Sequence, residues 1–387
     1  AERTNLPSIC GRVCPRENQC EGNCIMNKAK KPPINIGKLE RFAADFESIN
    51  ELRKPKKIKQ DLGKVAVVGS GPAGLSVAGD IAKLGYEVTV FEGQSEPGGV
   101  LLFGIPEFRL SKSVVRREIA RLEGLGVKFV CNTFIGQDKT LDELFAEGFD
   151  SIFIGTGTHI PQEVRMENDE VHGVFQAMYL LTNVQLVENG ELDEAQIPVK
   201  KGDRVIIIGG GNVAMDAART CVRLGCESVT VAYRRSQEQM PALLSEYEEA
   251  RAEGVQFQWF ASPVAVEGKD KVEGFKYEVM ALNEDGAGIH GTGNYQVMPV
   301  DKIIIAAGHK PNARLIGEGN NLKVDEKGYI ITSEDPYGMT NRDGVFAGGD
   351  VVHKPATVVL AMREAKKAVD GMVKYMEIKK AQESANQ

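Results

Sequence analysis

Short apolar runs followed by glycine-rich turns recur along this chain. Residues 65–68 form a continuous apolar run that leads into glycine-rich sequence and a helical segment, and residues 88–91 and 151–154 are further short runs. Buried parallel strands have this pattern, because helices cover both of their faces. The pattern therefore predicts a βαβ unit that begins near residue 64.

The same pattern restarts about 140 residues further along the chain. The strand, turn, helix and next strand of this second unit are expected at residues 205–208, 209–211, 212–224 and 229–232. Segments of β character follow residue 254 up to residues 303–307, and a last helix is predicted over about residues 356–376, before a frayed polar tail. The fold predicted is α/β, with two Rossmann-like dinucleotide-binding domains.

Residues 1–60 form a separate N-terminal segment. Four of the seven cysteines lie within its first 24 residues, and a basic, proline-containing linker covers residues 54–59. Helical spacing predicts a helix over residues 39–52. Its apolar side carries Leu39, Phe42, Phe46 and Ile49. We expect this side to pack on the first nucleotide domain.

Composition and charge argue against several classes of protein. Hydrophobic residues make up 42% and charged residues 26% of the 387, which suits a globular protein with two or three domains. The formal net charge of −7 argues against nucleic-acid binding, and no apolar run approaches the roughly 18 residues of a membrane-inserted helix. The N-terminus has no starting Met and no signal pattern, so we expect a cytoplasmic protein and leave open that its natural beginning lies upstream.

The first turn carries a dinucleotide fingerprint. The motif G-x-G-x-x-G lies between a predicted strand and a predicted helix, at Gly69, Gly71, Pro72, Ala73 and Gly74. Its glycines permit a tight turn and a close approach of the backbone to a pyrophosphate, which the helix N-terminus attracts. Glu92, at the end of the next strand, is placed to accept hydrogen bonds from ribose hydroxyls.

Sequence further along favours FAD over NAD at this first site. Two glycines follow soon after Glu92, and a Gly-Asp pair precedes the last predicted helix. In flavoproteins with two dinucleotide domains, such an aspartate hydrogen-bonds the ribityl chain and the next helix directs its positive end at the flavin. The residues concerned are Gly98, Gly99, Gly349, Asp350, Thr357 and Val358.

The second turn carries the related motif G-x-G-x-x-A, in the residues Gly209, Gly210, Gly211, Asn212, Val213 and Ala214. The spacing from Gly69 to Glu92 leads, in this unit, to Ala232, which is not acidic. Arg234 and Arg235 follow almost at once. An acid there would repel the 2′-phosphate of NADP, whereas guanidinium groups bind phosphate bidentately. NADP(H) is therefore predicted here; the alternative is a solvated surface pair of arginines.

Four cysteines lie within fifteen residues, namely Cys10, Cys14, Cys20 and Cys24. Thiolates at this density usually hold a metal or a cluster, and a proline beside a ligating cysteine is frequent at iron–sulfur sites. A structural zinc ion is the runner-up. A disulfide is less expected in an intracellular redox protein.

The other cysteines are interpreted as buried packing residues. Cys221 lies late on the helix after the second fingerprint and Gly225 ends that helix, so the pair Cys221 and Cys226 lies at the end away from the phosphates. Five helical residues would also turn their side chains about 140° apart. A disulfide reductase would need its pair beside the flavin. Cys131 is isolated, and the five histidines show no ligand spacing, so no catalytic histidine is assigned.

Together these residues resemble one family, which comprises the small subunit of NADPH-dependent glutamate synthase, the N-terminal part of dihydropyrimidine dehydrogenase and the large subunit of NADH-dependent reduced ferredoxin:NADP oxidoreductase. The signatures are residues 10–24, 33–37, 98–110 and 209–216. The resemblance implies an FAD domain interrupted by an NADPH domain, behind a small N-terminal α-helical iron–sulfur segment with [4Fe–4S] clusters.

The resemblance also implies roles for single residues. Cys14 and Cys20 would share one cluster, with Glu40 as an unusual ligand, and Cys24 would serve another. Cys10 matches the motif, although some members do not use it. Arg109 is a candidate flavin contact, and Asp216 belongs to the second fingerprint. In the family, further ligands come from an upstream segment that this sequence lacks, so we expect a truncated chain, incomplete clusters or ligands from another polypeptide.

The expected boundaries are 1–60 for the iron–sulfur segment and linker, 61–165 with 300–387 for the FAD-binding domain, and 166–299 for the NADP(H)-binding domain. The predicted function is a flavoprotein electron-transfer subunit that moves electrons between NADPH, FAD and [4Fe–4S] clusters for a redox partner subunit or ferredoxin-like acceptor, within a hetero-oligomer. The alternatives are a pyridine nucleotide:ferredoxin transhydrogenase-type subunit, a stand-alone NADPH:disulfide or dye reductase, and a non-enzymatic zinc- and nucleotide-binding module.

Overall fold

The computed structural model describes residues 4–50, 52, 58–284, 286, 288–311, 321–353 and 357–385. The chain divides into two compact units. The first comprises residues 1–102, 107–160 and 309–387, and the second comprises residues 103–106 and 161–308. The short strands Ile160–Pro161 and His309–Lys310 lie where the chain passes between the units. Most of the predicted linker lies outside the described residues.

The first unit is built on a five-stranded parallel sheet. Its strands lie in the order Val345–Ala347, Ser151–Ile154, Lys64–Val68, Glu87–Phe91 and Lys128–Val130. The helices of this part are Pro72–Lys83, Val100–Phe103, Lys112–Gly124, Leu141–Ala146 and Val358–Ala385, with the 3-10 turn Gly349–Val351. Residues 65–68 are all buried, as expected for a parallel strand covered on both faces.

The N-terminal segment belongs to this unit. Its helices are Pro7–Val13, Ile25–Lys28 and Ile36–Ile49, with the 3-10 turn Arg16–Asn18. Leu6 and Ile9 are fully buried, and the Asn5 amide donates to the Ser76 carbonyl at 2.9 Å and to Asp80 at 2.8 Å. The first residues described are therefore anchored on the helix Pro72–Lys83.

The expected packing of the third N-terminal helix is wrong. Leu39, Phe42 and Phe46 are 58%, 67% and 50% exposed. The helix buries its small residues Gly37 and Ala44 instead. The reason is a close backbone approach, since a methyl group at Gly11 would lie 2.6 Å from the Arg41 nitrogen, and large side chains do not fit between backbones so close together.

The second unit repeats the parallel sheet. Its strands lie in the order Val174–Gln176, Lys302–Ile305, Arg204–Ile208, Ser228–Tyr233 and Gln256–Trp259. The helices are Ala177–Glu188, Asn212–Arg223 and Leu244–Ala252, with 3-10 turns Glu194–Gln196 and Gln237–Gln239. The predicted β character after residue 254 is confirmed by an antiparallel sheet of Ala261–Glu267, Gly274–Leu282 and Ile289–Pro299.

The two parallel sheets confirm the predicted α/β fold. The predicted end of the last helix is wrong, because the helix continues to Ala385 instead of ending near residue 376 with a frayed tail. Residues 377–385 are mostly Glu, Lys, Ala and Gln, which favour helix. None of the described helices is both long enough and apolar enough to cross a membrane.

Candidate functional site

The first fingerprint lies at the carboxyl edge of the first sheet. Gly69 follows the strand Lys64–Val68 with φ of +92°, and its N–H donates to the Phe91 carbonyl at 2.8 Å. A methyl group at Gly69 would lie 2.9 Å from the Gly155 oxygen, and one at Gly74 would lie 1.9 Å from the Gly69 oxygen. Glycine is therefore required at both positions.

Gly71 leaves open space in front of the first fingerprint helix. Nothing lies within 4 Å of the place where a Cβ atom would be. The helix Pro72–Lys83 begins directly after it, and no side chain of the described residues caps this end. Backbone N–H groups at the helix start thus point into a gap, which fits a pyrophosphate group.

Glu92 joins the fingerprint turn to the second strand. Its buried carboxylate accepts hydrogen bonds from the Ser70 N–H at 3.0 Å, the Ser70 hydroxyl at 2.5 Å and the Gln94 N–H at 2.9 Å. Three of the roughly four acceptor positions of a carboxylate are thus occupied within the protein. The structure therefore gives Glu92 a structural role that sequence reasoning missed, which is to bind Ser70. The signal for this role was in the fingerprint itself, because Ser70 occupies the variable position between Gly69 and Gly71.

The other residues predicted for the first site come together at this turn. A methyl group at Gly99 would lie 3.0 Å from the Gly71 Cα, and one at Gly349 would lie 2.8 Å from the Ala73 Cβ. The Gly98 N–H donates to the Ser70 hydroxyl at 2.8 Å. Asp350 follows in the 3-10 turn Gly349–Val351. Segments far apart in sequence thus form one corner around the helix start.

Thr357 stands at the start of the last helix. Its hydroxyl accepts a hydrogen bond from the Leu360 N–H at 3.3 Å, which is the arrangement of a helix cap, and Val358 is the first helical residue. The Gln19 amide donates to the same hydroxyl at 3.4 Å. Because Gln19 directly precedes Cys20, the cysteine segment contacts the helix that follows the Gly349-Asp350 turn.

Arg109 is half-buried in the turn that precedes the helix Lys112–Gly124. Its predicted contact with a flavin stays a prediction.

The second fingerprint has the same frame in the second unit. Gly209 has φ of +149°, and a methyl group there would lie 2.4 Å from the Ala306 oxygen. Open space surrounds the Cβ position of Gly211, and the helix Asn212–Arg223 follows without a capping side chain among the described residues. This helix start also fits a pyrophosphate. Val213 and the buried residues Ala214 and Asp216 lie in its first turns.

The loop at residues 240–243, which follows the 3-10 turn Gln237–Gln239, is hydrogen-bonded to the second fingerprint. The Ala242 N–H donates to the Gly210 carbonyl at 2.9 Å, and the Leu243 N–H donates to the Asn212 side-chain oxygen at 3.0 Å. Asn212 therefore positions the loop that covers the turn.

The register of the second sheet corrects the spacing comparison. Phe91 pairs with the residue before Gly69, and Ala232 pairs with the residue before Gly209. The structural counterpart of Glu92 is therefore Tyr233, one residue beyond Ala232. The conclusion that this position is not acidic holds, although the residue named was wrong.

Tyr233 and the two arginines lie at the end of the strand Ser228–Tyr233. A methyl group at Gly210 would lie 2.6 Å from the Tyr233 ring, so the ring lies against the turn. Arg234 and Arg235 are both exposed, and neither forms an ion pair with any residue that the structure describes. Two uncommitted guanidinium groups beside a nucleotide fingerprint fit a ribose phosphate.

The N-terminal cysteines are only partly brought together. Cys10 is buried, where its thiol donates to the Met362 sulfur at 3.7 Å. A hydrogen bond between the Cys10 and Cys14 thiols raises the pKa of Cys10 and lowers the pKa of Cys14, and burial raises the pKa of Glu40. Cys20 is exposed and Cys24 is half-buried.

Within the described part of the chain, no three His, Cys, Asp or Glu side chains gather closely enough to hold a metal ion. The donor chemistry of these thiols fits an iron–sulfur cluster, but their placement does not form a complete set of ligands.

The interpretation of Cys221 and Cys226 as buried packing residues is confirmed for Cys221, which is fully buried. Cys226 is only half-buried, although it packs against the same apolar core. The helix ends at Arg223, so the angular argument for a continuous helix does not apply to Cys226.

A sequence profile described as pyridine nucleotide-disulphide oxidoreductase matches residues 63–365, which is most of the chain. The chain belongs to this family. A second profile, described as dihydropyrimidine dehydrogenase domain II, 4Fe-4S cluster, matches residues 1–52 of this oxidoreductase.

Relatives and a solved structure agree with this assignment. The glutamate synthase [NADPH] small chain of Escherichia coli (strain K12) is 37% identical, over 98% of this chain and 82% of that protein. The NAD-dependent dihydropyrimidine dehydrogenase subunit PreT of the same organism is 34% identical, over 97% and 83% of the two chains. FprA of Mycobacterium tuberculosis in complex with NADPH has a TM-score of 0.66 at 20% identity, over 84% and 86%, which shows the shared fold.

These comparisons confirm the predicted family and the predicted class of function. The chain is an NAD(P)H-dependent, FAD-containing oxidoreductase of the electron-transfer-subunit type, with an N-terminal [4Fe–4S] region. The two relatives are named for different coenzymes, NADPH and NAD. The family alone therefore does not decide the coenzyme, and the residues of the second fingerprint must do so.

Proposed function

We propose that the first unit binds FAD, that the second binds NADP(H), and that the chain delivers electrons through its N-terminal cysteine region to a partner subunit or ferredoxin-like acceptor in a hetero-oligomer. When bound, FAD accepts a hydride from NADPH and a [4Fe–4S] cluster passes electrons singly. The observation that carries the proposal is the hydrogen bond from Gln19 to Thr357, because it joins the cysteine region to the flavin-side helix.

The residues of the first unit would bind FAD as follows. The open helix start at Gly71 takes the pyrophosphate, and the remaining acceptor position of Glu92 takes a ribose hydroxyl. Asp350 holds the ribityl chain, and the positive end of the helix after Thr357 stabilises negative charge on reduced flavin. Arg109 is proposed as a further flavin contact.

The residues of the second unit would bind NADPH in the same way at Gly211, with Arg234 and Arg235 on the 2′-phosphate. For the iron–sulfur region we propose Cys14, Cys20 and Cys24 as ligands, with Glu40. Cys10 is the fifth candidate, although its contact with Met362 favours packing. The cytoplasmic location stays a prediction.

The proposal is tested on protein purified without oxygen, by counting iron, zinc and flavin and by adding NADPH. We expect iron together with FAD, and bleaching of the flavin by NADPH. The variant with both Cys14→Ser and Cys20→Ser should lose most of the iron while NADPH still bleaches the flavin, and Cys131→Ser is the matched control. Substitution is better than deletion here, because Leu6 and Ile9 are buried.

Two results would contradict the proposal. Zinc in place of iron in the unaltered protein would favour the zinc-binding alternative. Full retention of iron in the double variant would show that these cysteines are not ligands.

A further inference from the structure

Cys221 and Cys226 meet where the second fingerprint helix ends. The helix runs Asn212–Arg223, and the chain reverses at Gly225, which has φ of +83°. The Cys226 N–H then donates to the Cys221 carbonyl at 3.2 Å. This 6→1 hydrogen bond is typical of a helix end with a left-handed glycine. It returns Cys226 to the side of Cys221, where Cys226 packs against the apolar cluster that contains Cys221. Side chains at these two positions of such a helix end commonly come together.

The two sulfurs have different surroundings. Cys221 is 0% exposed and packs in the apolar core between the helix and the sheet. Cys226 is half-buried at the rim of that core, and its thiol donates to the Lys200 carbonyl at 3.8 Å. One sulfur is thus open to a small solute from solvent, and the other is shielded behind it.

The two thiols also differ in pKa. The hydrogen bond between the two thiols lowers the pKa of Cys226, and together with burial it raises the pKa of Cys221. The carboxylate of Asp203 faces both thiols and raises both pKa values, as a weaker influence. Because solvent reaches Cys226 and not Cys221, Cys226 is the sulfur that reacts first, as its thiolate, and Cys221 is positioned to react with the product.

We propose that Cys221 and Cys226 form a redox-active dithiol, which a hydroperoxide converts into an intramolecular disulfide. The Cys226 thiolate attacks one peroxide oxygen, the O–O bond breaks, and with one proton from solvent the products are a Cys226 sulfenic acid and water. The Cys221 sulfur then attacks the Cys226 sulfur, the S–O bond breaks, and hydroxide leaves with the Cys221 proton as a second water. Two thiols are oxidised by two electrons, and hydrogen peroxide is reduced to two waters.

This site is separate from the proposed route of hydride transfer. It lies at the opposite end of the helix from Gly211, beside the beginnings of the strands Arg204–Ile208 and Ser228–Tyr233. The proposal therefore does not depend on which coenzyme is bound. Disulfide formation should fasten the helix end and leave the fingerprint turn in place.

The sequence allows a direct test. Trypsin cleaves after Arg219, Arg223 and Arg234, so the two cysteines fall on separate peptides, residues 220–223 and 224–234. FAD-loaded protein is treated with a small excess of hydrogen peroxide, alkylated with N-ethylmaleimide and digested. We expect these two peptides as a linked pair that has lost two hydrogen atoms and separates on reduction with dithiothreitol.

Variants distinguish the two steps. In Cys221→Ala, the sulfenic acid on Cys226 should persist and be trapped by dimedone; in Cys226→Ser, Cys221 should stay reduced. Cys131→Ser is the control and should still form the linked pair, and unchanged FAD content shows that each variant is folded. Direct conversion of Cys226 to sulfinic acid without the linked pair, a link from Cys226 to another cysteine, or no reaction at either sulfur would overturn the proposal.

Discussion

The two fingerprints share the same strand, turn and helix, and they differ in the pair of residues that meet where the turn lies against the end of the neighbouring strand. In each unit the first glycine donates its N–H to a carbonyl at the end of the neighbouring strand, that of Phe91 or that of Ala232. In the first unit, Ser70 then binds the Glu92 carboxylate. In the second unit, Gly210 leaves room for the Tyr233 ring. A carboxylate suits a ribose with free hydroxyls, whereas an aromatic ring beside exposed arginines suits a phosphorylated ribose.

The third position of the motif differs for a steric reason. A methyl group at Gly74 would meet the Gly69 oxygen at 1.9 Å, whereas Ala214 carries its methyl group in the buried core. The first helix therefore approaches its turn more closely than the second. One motif thus tolerates alanine and the other does not, which the sequence pattern alone does not explain.

The largest effect is expected when the positive charge of the second site is removed. Each charge-assisted contact to a phosphate contributes roughly 1.5–3 kcal/mol, which corresponds to about ten- to a hundredfold in affinity. The variant with both Arg234→Gln and Arg235→Gln should therefore raise the apparent KM for NADPH by at least tenfold and hardly alter that for NADH. Steady-state reduction of a dye measures both constants.

Arg165→Gln is the control for this variant, since it removes an exposed arginine of the same unit. Equal loss with NADPH and NADH would mean that the arginines do not recognise the 2′-phosphate.

The steric difference at the third position gives the next largest effect. Gly74→Ala forces a methyl group against the backbone and should cost up to about 3 kcal/mol of unfolding free energy, with loss of FAD. Ala214→Gly should cost about 1 kcal/mol. Urea unfolding and flavin content measure both variants. Similar, small losses in the two would show that the two helices approach their turns equally.

Asp350 sharpens the assignment of the first site to FAD. Asp350→Ala should weaken FAD retention by about tenfold or more, because a hydrogen bond to a charged group is lost. The fold should change less, since Asp350 lies in a turn beside the fingerprint. Flavin content after gel filtration and the rate of flavin reduction are the measurements. Unchanged values of both would remove Asp350 from the site.

Placing the serine and glutamate of the first fingerprint at the equivalent positions of the second should alter the coenzyme preference. In a variant with Gly210→Ser and Tyr233→Glu, the second fingerprint carries the same pair of residues as the first. The new carboxylate should repel the 2′-phosphate and lower kcat/KM for NADPH by about tenfold, or about 1.4 kcal/mol, with a smaller effect on NADH. An unaltered ratio of the two coenzymes would show that Tyr233 does not lie at the ribose.

The smallest effect concerns the amino ends of the parallel strands, at the side of each sheet opposite the fingerprint. Asp150 accepts the Lys64 N–H at 2.8 Å, and Asp301 likewise accepts the Arg204 N–H at 2.9 Å. In the second unit, the Arg204 guanidinium also binds Asp301, which lowers the pKa of Asp301 to about 2. The unfolded value is about 3.9. The stabilisation is therefore present above about pH 4 and is lost as the pH falls to about 2.

Asp301→Asn should accordingly cost up to about 1 kcal/mol at neutral pH, because both side chains are 39% exposed and screened by solvent. The cost should shrink as the pH falls through about 4 and vanish only below about pH 2. Urea unfolding at several pH values tests this, with Asp150→Asn as the matched control. A cost that does not change between neutral pH and pH 2 would contradict the ion-pair explanation.

The sequence was most informative where structure is local. A fingerprint is one strand, one turn and one helix, so its residues could be predicted from their order alone. The counterpart of Glu92 was misplaced by one residue, because the connection between the helix and the second strand is one residue longer in the second unit, 224–227 against 84–86. Cys226 was misplaced because the helix ends three residues before it.

Packing between helices was harder to predict. The spacing of Leu39, Phe42 and Phe46 identified a helix correctly but not the side that it buries. The close approach at Gly11 selects the side with Gly37 and Ala44. A periodic pattern does not reveal such a contact, because the partner lies on another helix.

The assignment of FAD to the first unit and of NADP(H) to the second is tested by rapid mixing without oxygen. FAD-loaded protein is mixed with NADPH or NADH over a range of concentrations, and the absorbance of oxidised flavin is followed. We expect rapid bleaching by NADPH, and half-maximal rates with NADH only at concentrations at least about tenfold higher. Equal or better reduction by NADH, or no bleaching by either coenzyme, would contradict the assignment.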